Sequence, residues 1–431
     1  MNYARYAAIH ARHLPDKVCL IERTPSSNQR RTLTWKTFND AINRTANYLS
    51  KELGVQDGDH VMHLMNNSLE WLITYFGIIR IGAIVVPLNF RFQGPDICYA
   101  DGVCHPRVFF IGSEFLPVVE PIKNSLNGID TFICMGDEVP TDMIDYQTVC
   151  TYDDNTDATI DVADAHDLAM MFTSGTTGTP KPVIHTHGSI NATAIGNGMT
   201  YFVQKEDNYV LFLPLYHSGT MFLWAPFYTT GAAWTIVMEI KDPKWIIEAI
   251  AEEKGTDTLF VVPIAIAILN AVKSGRLNLA DYDLSNWKYM EIGAQPVPFD
   301  VMRSLVDTLP TAVSNIYGIT EGGGGGTFNL YPQDVLRKPG SIGKPTFGVE
   351  GKVLDIEGAE LPPGEVGELV FSTPRMMKGY HNNPEMTADS LKDGWLFTGD
   401  LVRTDEEGYF YIVDRMKDMV TSGGENIFPV E

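Results

Sequence analysis

Short apolar runs that alternate with helical patterns are the feature that most restricts how this chain can fold. Val61–Met65 is strand-like, Asn66–Ser68 opens a helix, and Ala83–Pro87 is a second strand. A strand, a helix and a strand within this length predict a βαβ unit. Two further apolar runs continue the pattern at Val108–Ile111 and Thr131–Cys134. The first third of the chain is therefore predicted to be α/β.

Length, charge and cysteine content narrow the class of protein. The 431 residues are too many for one ordinary core, so two or three subdomains are expected. The formal net charge of -22 disfavours a general binder of nucleic acid or of anionic membranes. Five cysteines without a C-x-x-C pair indicate reduced thiols and a cytoplasmic protein. The sequence shows neither a signal peptide nor a run of 18 apolar residues.

The amino-acid composition changes at two places along the chain, and these changes suggest where its domains begin and end. Residues 151–167 are acidic and poor in large apolar side chains, which predicts a surface linker. Residues 343–414 are rich in Gly, Pro and short alternating runs, which predicts a small β-rich unit. We therefore expect paired α/β subdomains over 1–342, the β-rich unit over 343–414, and the opening of another unit over 415–431.

The stretch Met171–His187 reads as a strand, a polar loop and a second strand. Its loop combines hydroxyls, glycines and one lysine, which together can bind a polyphosphate through N–H groups, hydroxyls and a point charge. It is not a Walker loop, because the spacing to the Gly-Lys pair and the following helix are missing. An ordinary Ser/Thr/Gly-rich surface loop is the alternative. The candidate phosphate-binding residues are Thr173, Ser174, Gly175, Thr176, Thr177, Gly178 and Lys181.

Three later strands end in loops of small, polar or aromatic residues. These loops are Pro214–Gly219, Gly293–Pro296 and Asn315–Glu321, and five glycines follow the last one. Ligands bind at the carboxyl edge of open α/β sheets, so these loops are expected to form one site. A lone histidine such as His217 more often has a structural role than a functional one. Its position in this loop, beside a second loop motif, brings these two interpretations closer to equal. Tyr317 can stack on a base, and Glu321 can hold Mg²⁺.

Six motifs in order resemble those of the acyl-adenylate-forming superfamily, which includes acyl- and aryl-CoA synthetases, adenylation domains of nonribosomal peptide synthetases and beetle luciferases. The motifs are Thr173–Lys181, Pro214–Gly219, Tyr317–Glu321, Gly394–Asp400, Arg415 and Ser422–Glu431. The resemblance implies a ligase that uses ATP and Mg²⁺ to convert a carboxylic acid to an acyl-adenylate and pyrophosphate. Coenzyme A then captures the acyl group. The implied fold is two stacked α/β subdomains plus a small β-barrel-like subdomain.

The resemblance also implies a role for each matching residue. The catalytic set is Lys181, His217, Thr320 and Glu321, with Thr320 facing the α-phosphate and Glu321 binding the metal. Asp400 and Arg415 take the ribose hydroxyls, a use that suits an acceptor and a donor. Lys417 occupies the hinge position. The adenine site comprises Tyr317 with Gly293, Ala294, Gln295, Pro296, Asn315, Ile316 and Gly318, and the acid site comprises Tyr216, His217, Ala294, Gly322 and Gly323.

Two departures from the family pattern carry expectations of their own. The turn at Gly293 reads Gly-Ala-Gln-Pro where many members have Gly-Gly-Ala-Pro, which is expected to reshape the wall of the acyl pocket. The small C-terminal domain and its adenylation lysine have no counterpart in these 431 residues. We therefore expect a truncated chain that binds nucleotide and acid but is impaired in adenylation.

The identity of the acid is only partly restricted. The stretch Pro214–Gly219 has no Asp to pair with an α-ammonium, and an unpaired buried ammonium is costly. An aryl, alicyclic or medium-chain acid is therefore favoured, in fatty-acid or aromatic-acid metabolism. The glycines Gly322–Gly326 either leave room for it or form a mobile loop without a role in selectivity. A luciferase-like or carrier-protein-loading enzyme, a non-catalytic nucleotide-binding module and a homodimer remain open.

Overall fold

The structure is a computed structural model that describes residues 1–173 and 180–415 and the backbone of 420–422 and 425–427. These residues form twelve α-helices and 24 β-strands. The helices are α1 Arg5–His13, α2 Trp35–Asn47, α3 Leu69–Arg80, α4 Gly94–Cys104, α5 Leu116–Val119, α6 Tyr146–Cys150, α7 His187–Tyr201, α8 Ser218–Thr230, α9 Lys244–Glu252, α10 Val262–Lys273, α11 Phe299–Thr308 and α12 Pro384–Ser390. The strands are β1 Val18–Thr24, β2 Gln29–Thr34, β3 His60–Leu64, β4 Ile84–Pro87, β5 Val108–Gly112, β6 Thr131–Met135, β7 Ile144–Asp145, β8 Asp167–Thr173, β9 Lys181–Thr186, β10 Asn208–Leu211, β11 Ala233–Val237, β12 Asp257–Val261, β13 Tyr289–Gly293, β14 Ala312–Tyr317, β15 Phe328–Leu330, β16 Ser341–Pro345, β17 Glu350–Leu354, β18 Gly367–Ser372, β19 Gly379–Tyr380, β20 Leu391–Lys392, β21 Trp395–Thr404, β22 Phe410–Arg415, β23 Val420–Ser422 and β24 Glu425–Ile427.

One of the two large sheets contains the predicted βαβ unit. Its eight strands run in the order β19-β9-β8-β4-β3-β5-β6-β7. Strands β3 and β4 are parallel neighbours joined through α3, as the sequence pattern predicts. Strands β8 and β9 form an antiparallel hairpin in which Thr173 pairs with Lys181. The two strands predicted to flank the loop in Met171–His187 are thereby confirmed, and the loop residues 174–179 lie outside the described residues.

The second large sheet joins an α/β half to an antiparallel unit. Strands β1, β11, β10, β12, β13 and β14 are parallel to their neighbours in that order. From β14 the sheet continues antiparallel through β15, β16, β22, β21, β18 and β17. Among the described residues this unit is an open extension of the sheet, not a separate closed barrel. The predicted boundary between residues 342 and 343 lies within β16.

Two apolar helices fill the space between the sheets. Nearly every residue of α3 and α8 is buried, because each helix contacts apolar side chains on all sides. The rings of Phe76 on α3 and Tyr228 on α8 stack with their centroids 4.3 Å apart. Trp224 of α8 packs against Trp234 of β11 at 5.0 Å. One core therefore ties both sheets together, as expected for stacked α/β subdomains.

Helix starts follow the capping residues in the sequence. Thr34 caps α2 by accepting the N–H of Thr37, and Ser68 caps α3 by accepting the N–H of Trp71. Helix α7 begins at His187, because Thr186 is its N-cap and accepts the N–H of Ser189. None of the described helices is long and apolar enough to cross a membrane.

The acidic segment predicted as a linker over 151–167 has neither helix nor strand up to residue 166, and β8 begins at its last residue, Asp167. None of its residues is buried, as expected for a surface linker. Its backbone is nevertheless held by side chains of the α/β half. Asn2 Nδ2 donates to the carbonyl of Ile160 at 3.2 Å, and Asn47 Nδ2 donates to the carbonyl of Thr156 at 2.8 Å. The linker is therefore anchored along the surface.

A fully buried histidine makes the fold sensitive to acid. His63 of β3 is 0% exposed, neither ring nitrogen has a partner among the described residues, and burial lowers its pKa to about 3. The folded chain thus binds fewer protons than the unfolded chain between pH 3 and 6.5, and stability falls as pH falls through that window. Lowering the pH from 7 to 5 is expected to cost about 2 kcal/mol at this residue alone. Urea denaturation of the wild type and of His63→Leu at both pH values measures it, and equal acid sensitivity would contradict the prediction.

Candidate active site

A cavity of about 840 Å³ lies where the parallel strands of the larger sheet end. Its floor includes Val261 at the end of β12, Ala294 after β13 and Ile316 near the end of β14. Strand β21 and Arg415 of β22 close it from the antiparallel unit. The carboxyl edge of the sheet is where the sequence placed a ligand site. Of the predicted site residues, the cavity lining includes Thr173, Lys181, His217, Ala294, Ile316, Gly318, Thr320, Glu321, Asp400 and Arg415.

Other predicted residues lie near the cavity without lining it or fall outside the described residues. Asn315 donates from Nδ2 to the carbonyl of Ser341 at 2.9 Å, and Tyr317 contacts the site through Asp400. Tyr216, Gly293, Gln295, Gly322 and Gly323 are adjacent in sequence to lining residues, and Pro296 lies two residues after the lining residue Ala294. Ser174, Gly175, Thr176, Thr177, Gly178 and Lys417 lie outside the described residues, as do most of Ser422–Glu431.

Asp400 holds two partners at one side of the cavity. Its Oδ2 accepts a hydrogen bond of 2.5 Å from the Tyr317 hydroxyl, and Arg415 Nε lies 3.1 Å from its Oδ1. Burial raises the pKa of Asp400, and Tyr317 and Arg415 oppose that shift. The Tyr317 ring packs edge-on against Phe328 at 5.8 Å, which fixes its orientation. A carboxylate, a phenol ring and a guanidinium are thus placed together, as a nucleoside would require.

Glu321 and Lys181 are connected through Tyr380. The Tyr380 hydroxyl donates to Glu321 Oε1 at 2.9 Å, and Lys181 Nζ lies 5.3 Å from the centre of the Tyr380 ring. Tyr380 reaches this place because β19 pairs with β9. The arrangement brings an acidic oxygen donor and an ammonium to the same wall, where phosphate oxygens and a hard cation could bind.

Thr320 is held from two directions. Its hydroxyl shares a hydrogen bond of 2.7 Å with Ser218 Oγ, and its carbonyl accepts from His185 Nε2 at 2.8 Å. Burial lowers the pKa of His185 to about 4, so this histidine is neutral and can hold the backbone of Thr320 by this hydrogen bond. The Ser218 contact joins the Asn315–Glu321 loop to the start of α8, which are far apart in sequence.

His217 is fixed in one tautomer by the helix that it caps. The backbone N–H of Gly219 donates to His217 Nδ1 at 3.1 Å, so the neutral ring carries its proton on Nε2. Solvent reaches the ring through the cavity, yet the protein around it lowers its pKa. His217 therefore offers the cavity a neutral hydrogen-bond donor.

The glycine run is buried and tightly packed. A Cβ on Gly322 would lie 2.4 Å from the Phe371 ring, and one on Gly324 would lie 2.2 Å from Phe222. Gly324 also has a φ of +75°, which a side chain would strain. Gly324 and Gly325 are the members that line the cavity. This packing favours a steric role for the run, and substrate contact by Gly322 and Gly323 stays a prediction.

Sequence reasoning did not single out Tyr380, Ser218 as a partner of Thr320, or the apolar wall of the cavity. Tyr380 sits in a two-residue strand whose place depends on pairing with β9, and so short a strand has no recognisable sequence pattern. The apolar wall includes Leu213, Leu259, Val261 and Leu396. Apolar residues are typical of any buried segment, so the sequence does not show which of these four face a cavity.

Two stacked sheets and a cavity at the junction with an antiparallel unit define the large domain of an acyl-adenylate-forming enzyme. A model of the AMP-binding enzyme family matches residues 8–381, and the chain belongs to that family.

Named relatives and a solved structure are consistent with this class. The chain is 32% identical over 414 residues to the long-chain-fatty-acid–CoA ligase FadD13 of Mycobacterium tuberculosis, which covers 94% of this chain and 78% of the relative. It is 32% identical to a feruloyl-CoA synthase of an Amycolatopsis species, over 93% of this chain and 77% of the relative. The structure of the anthranilate CoA ligase AuaEII with anthranoyl-AMP matches with a TM-score of 0.89 at 25% identity, covering 100% of this chain and 81% of that one.

Proposed function

We propose that this chain serves an AMP-forming carboxylate–CoA ligase, which activates an aryl, alicyclic or medium-chain acid with ATP and transfers the acyl group to coenzyme A. The observation that carries the proposal is the single cavity that joins a nucleoside-like site at Asp400 to an anion-binding wall at Lys181. Relatives of the same class, with fatty and aromatic acids in their names, support it. The carboxylate of the acid attacks the α-phosphorus of ATP, and pyrophosphate leaves.

The residues of the cavity have distinct tasks in this reaction. Asp400 and Arg415 bind the ribose hydroxyls, and the Tyr317 ring stacks on adenine. The Thr320 hydroxyl donates to the α-phosphate, where negative charge develops in the transition state. Lys181 and the loop that precedes it hold the outer phosphates. The neutral His217 donates from Nε2 near the reacting carboxyl group and separates the acid from the entry of the thiol.

Magnesium fits the charge balance of the cavity. Its described lining carries three basic side chains, Lys181, Lys392 and Arg415, against four acidic ones, Glu321, Glu368, Asp389 and Asp400. This lining does not neutralise a triphosphate. Glu321 would supply the oxygen ligand that Mg²⁺ prefers, and the ion would offset part of the negative charge of the phosphates.

The apolar wall supports the proposed class of acid. The same cavity that contains His217 is lined by the apolar side chains of Leu213, Leu259, Val261 and Ile316, and by Gly324 and Gly325. This wall offers no described carboxylate to an α-ammonium beside the reacting group, in agreement with the lack of Asp in Pro214–Gly219. Location in the cytoplasm, favoured by five cysteines that are all free, and formation of a homodimer stay predictions.

Thermal-shift measurements on the purified chain test the proposal. With ATP and Mg²⁺ present, saturating benzoate, cyclohexanecarboxylate or hexanoate is expected to raise the melting temperature further by about 3 °C, because ligands of the folded state stabilise it. Acetate and phenylalanine should add nothing. Lys181→Ala is the control, and it should reduce the shift caused by ATP while retaining the shift caused by AMP. A larger response to acetate or phenylalanine than to the other acids would refute the proposed class of substrate.

A further inference from the structure

A second cavity continues along the sheet face that forms the floor of the active site. It has a volume of about 290 Å³ and lies at the opposite ends of the same strands, where Tyr289 of β13 and Ser314 of β14 line it. Two residues further along β14, Ile316 lines the large cavity. Alternate residues of a strand share a face, so the two cavities follow each other along one face of the sheet.

Glu291, which lines neither cavity itself, lies at the boundary between the residues that line them. In the sheet register it pairs with Leu259 of β12 on one side and with Ser314 of β14 on the other. Leu259 lines the large cavity and Ser314 lines the second one. On its own strand Glu291 lies between Tyr289, which lines the second cavity, and Gly293. Gly293 has no side chain to fill the space above the sheet on the side of the active site.

Polar atoms without partners collect at this boundary. Glu291 is 2% exposed, and its Oε2 has no hydrogen-bond partner among the described residues. The same holds for Ser314 Oγ, Asn329 Oδ1 and the Tyr201 hydroxyl, all of which belong to buried residues that line the second cavity. Buried polar groups are normally paired, so a set of four points to a ligand or to water that completes them. The adjoining wall of the active site is apolar by contrast.

Charge decides which ligand group suits Glu291. Asp257 on the neighbouring strand is also buried, and burial together with this second carboxyl group raises the pKa of Glu291. Lys288, the basic group near Asp257, forms its ion pair with Asp207 instead. A protonated carboxyl group can donate one hydrogen bond to a neutral hydroxyl group and accept another from it. It carries no negative charge with which an ammonium could pair.

We propose that the acyl pocket extends past Ile316 to Glu291, and that the chain selects carboxylic acids with a hydroxyl group at the end remote from the reacting carboxyl group. This inference rests on the proposed ligase function and specifies its substrate. Glu291 and Gly293 are two residues apart, so about 7 Å separates them along the strand. That length matches an acid with a para-substituted ring or a chain of medium length.

Matched pairs of acids that differ only at the remote end test the inference. The probes are 4-hydroxyphenylacetate with 4-methylphenylacetate, and 8-hydroxyoctanoate with nonanoate, titrated calorimetrically into the chain saturated with a non-hydrolysable ATP analogue and Mg²⁺. In each pair that reaches Glu291, the hydroxyl compound is expected to bind about 10-fold tighter, because it completes buried hydrogen bonds that the methyl compound leaves unpaired.

Variants of Glu291 separate a specificity role from a structural one. Glu291→Leu is expected to reverse the preference within each pair, while Glu291→Gln retains most of it, and both should bind AMP as the wild type does. An unchanged preference in Glu291→Leu would overturn the inference, as would tighter binding of the methyl compounds or of 8-aminooctanoate by the wild-type chain. If Glu291→Leu does not fold, the wild-type preferences still decide. Binding of the ATP analogue but of no acid would refute the proposed ligase function itself, whereas acids that bind without this preference would refute only the role of Glu291.

Discussion

Replacing Asp400 by Asn is expected to weaken AMP binding about 100-fold, because a carboxylate can accept both ribose hydroxyls in charge-assisted hydrogen bonds and an amide cannot. The amide nitrogen would also face either the Tyr317 hydroxyl or Arg415 Nε, both of which are hydrogen-bond donors in the structure. Isothermal titration calorimetry with AMP measures the loss. AMP is the suitable ligand because it tests the nucleoside site without the outer phosphates that Lys181 is proposed to hold.

Tyr317→Phe is the matched control for Asp400. It removes the 2.5 Å hydrogen bond to Oδ2 but retains the ring that is proposed to stack on adenine. AMP affinity should therefore change by no more than about threefold, since the freed carboxylate still meets the ribose. An equal loss in Tyr317→Phe and Asp400→Asn would mean that Asp400 acts by holding Tyr317 in place and does not bind the ribose. The melting temperature without ligand shows whether both variants fold.

Local features of the fold were predictable because they depend on neighbours in sequence. Thr34 and Ser68 are capping residues that predict where α2 and α3 begin, and the apolar runs predict β3 and β4. The connection of the antiparallel unit to the larger sheet was not predictable. It depends on the pairing of β16 with β15 and with β22. In the second of these pairs Ser341 lies opposite Tyr411, and these two residues are far apart in the chain. A pattern of short alternating runs is compatible with an open extension and with a barrel.

The site shows the same division between local and long-range information. Loops at strand ends are recognisable by composition, and the fold brings Thr320, Asp400 and Arg415 to one cavity. Glu291 was not singled out, because it sits within an apolar strand and its importance depends on what lies in register beside it. Tyr380 depends in the same way on the pairing of β19 with β9. Residues that act from the middle of a strand become visible only when the sheet is assembled.

Replacing Gly318 by Ala is expected to destabilise the chain by about 3 kcal/mol and to abolish measurable AMP binding. A Cβ at this position would lie 1.8 Å from the carbonyl oxygen of Gly324 and 3.1 Å from Cα of Gly325. These are backbone atoms and cannot move aside as a side chain can. The N–H of Gly324 is also bonded to the carbonyl of Ile319 at 2.9 Å, so the loop folds back on itself and would have to open.

Gly102→Ala shows why this effect is specific to the loop. Gly102 is exposed on α4, has an ordinary helical backbone, and a Cβ there would meet nothing within 4 Å. Alanine at this position should therefore stabilise the chain by roughly 0.5 to 1 kcal/mol, since glycine is a poor helix former. Urea denaturation of both variants, with AMP titration of each, measures the contrast. Because the same turn carries Thr320 and the cavity-lining Gly324 and Gly325, wild-type stability in Gly318→Ala together with wild-type AMP affinity would mean that the close approach of the two loop segments is not required for the site.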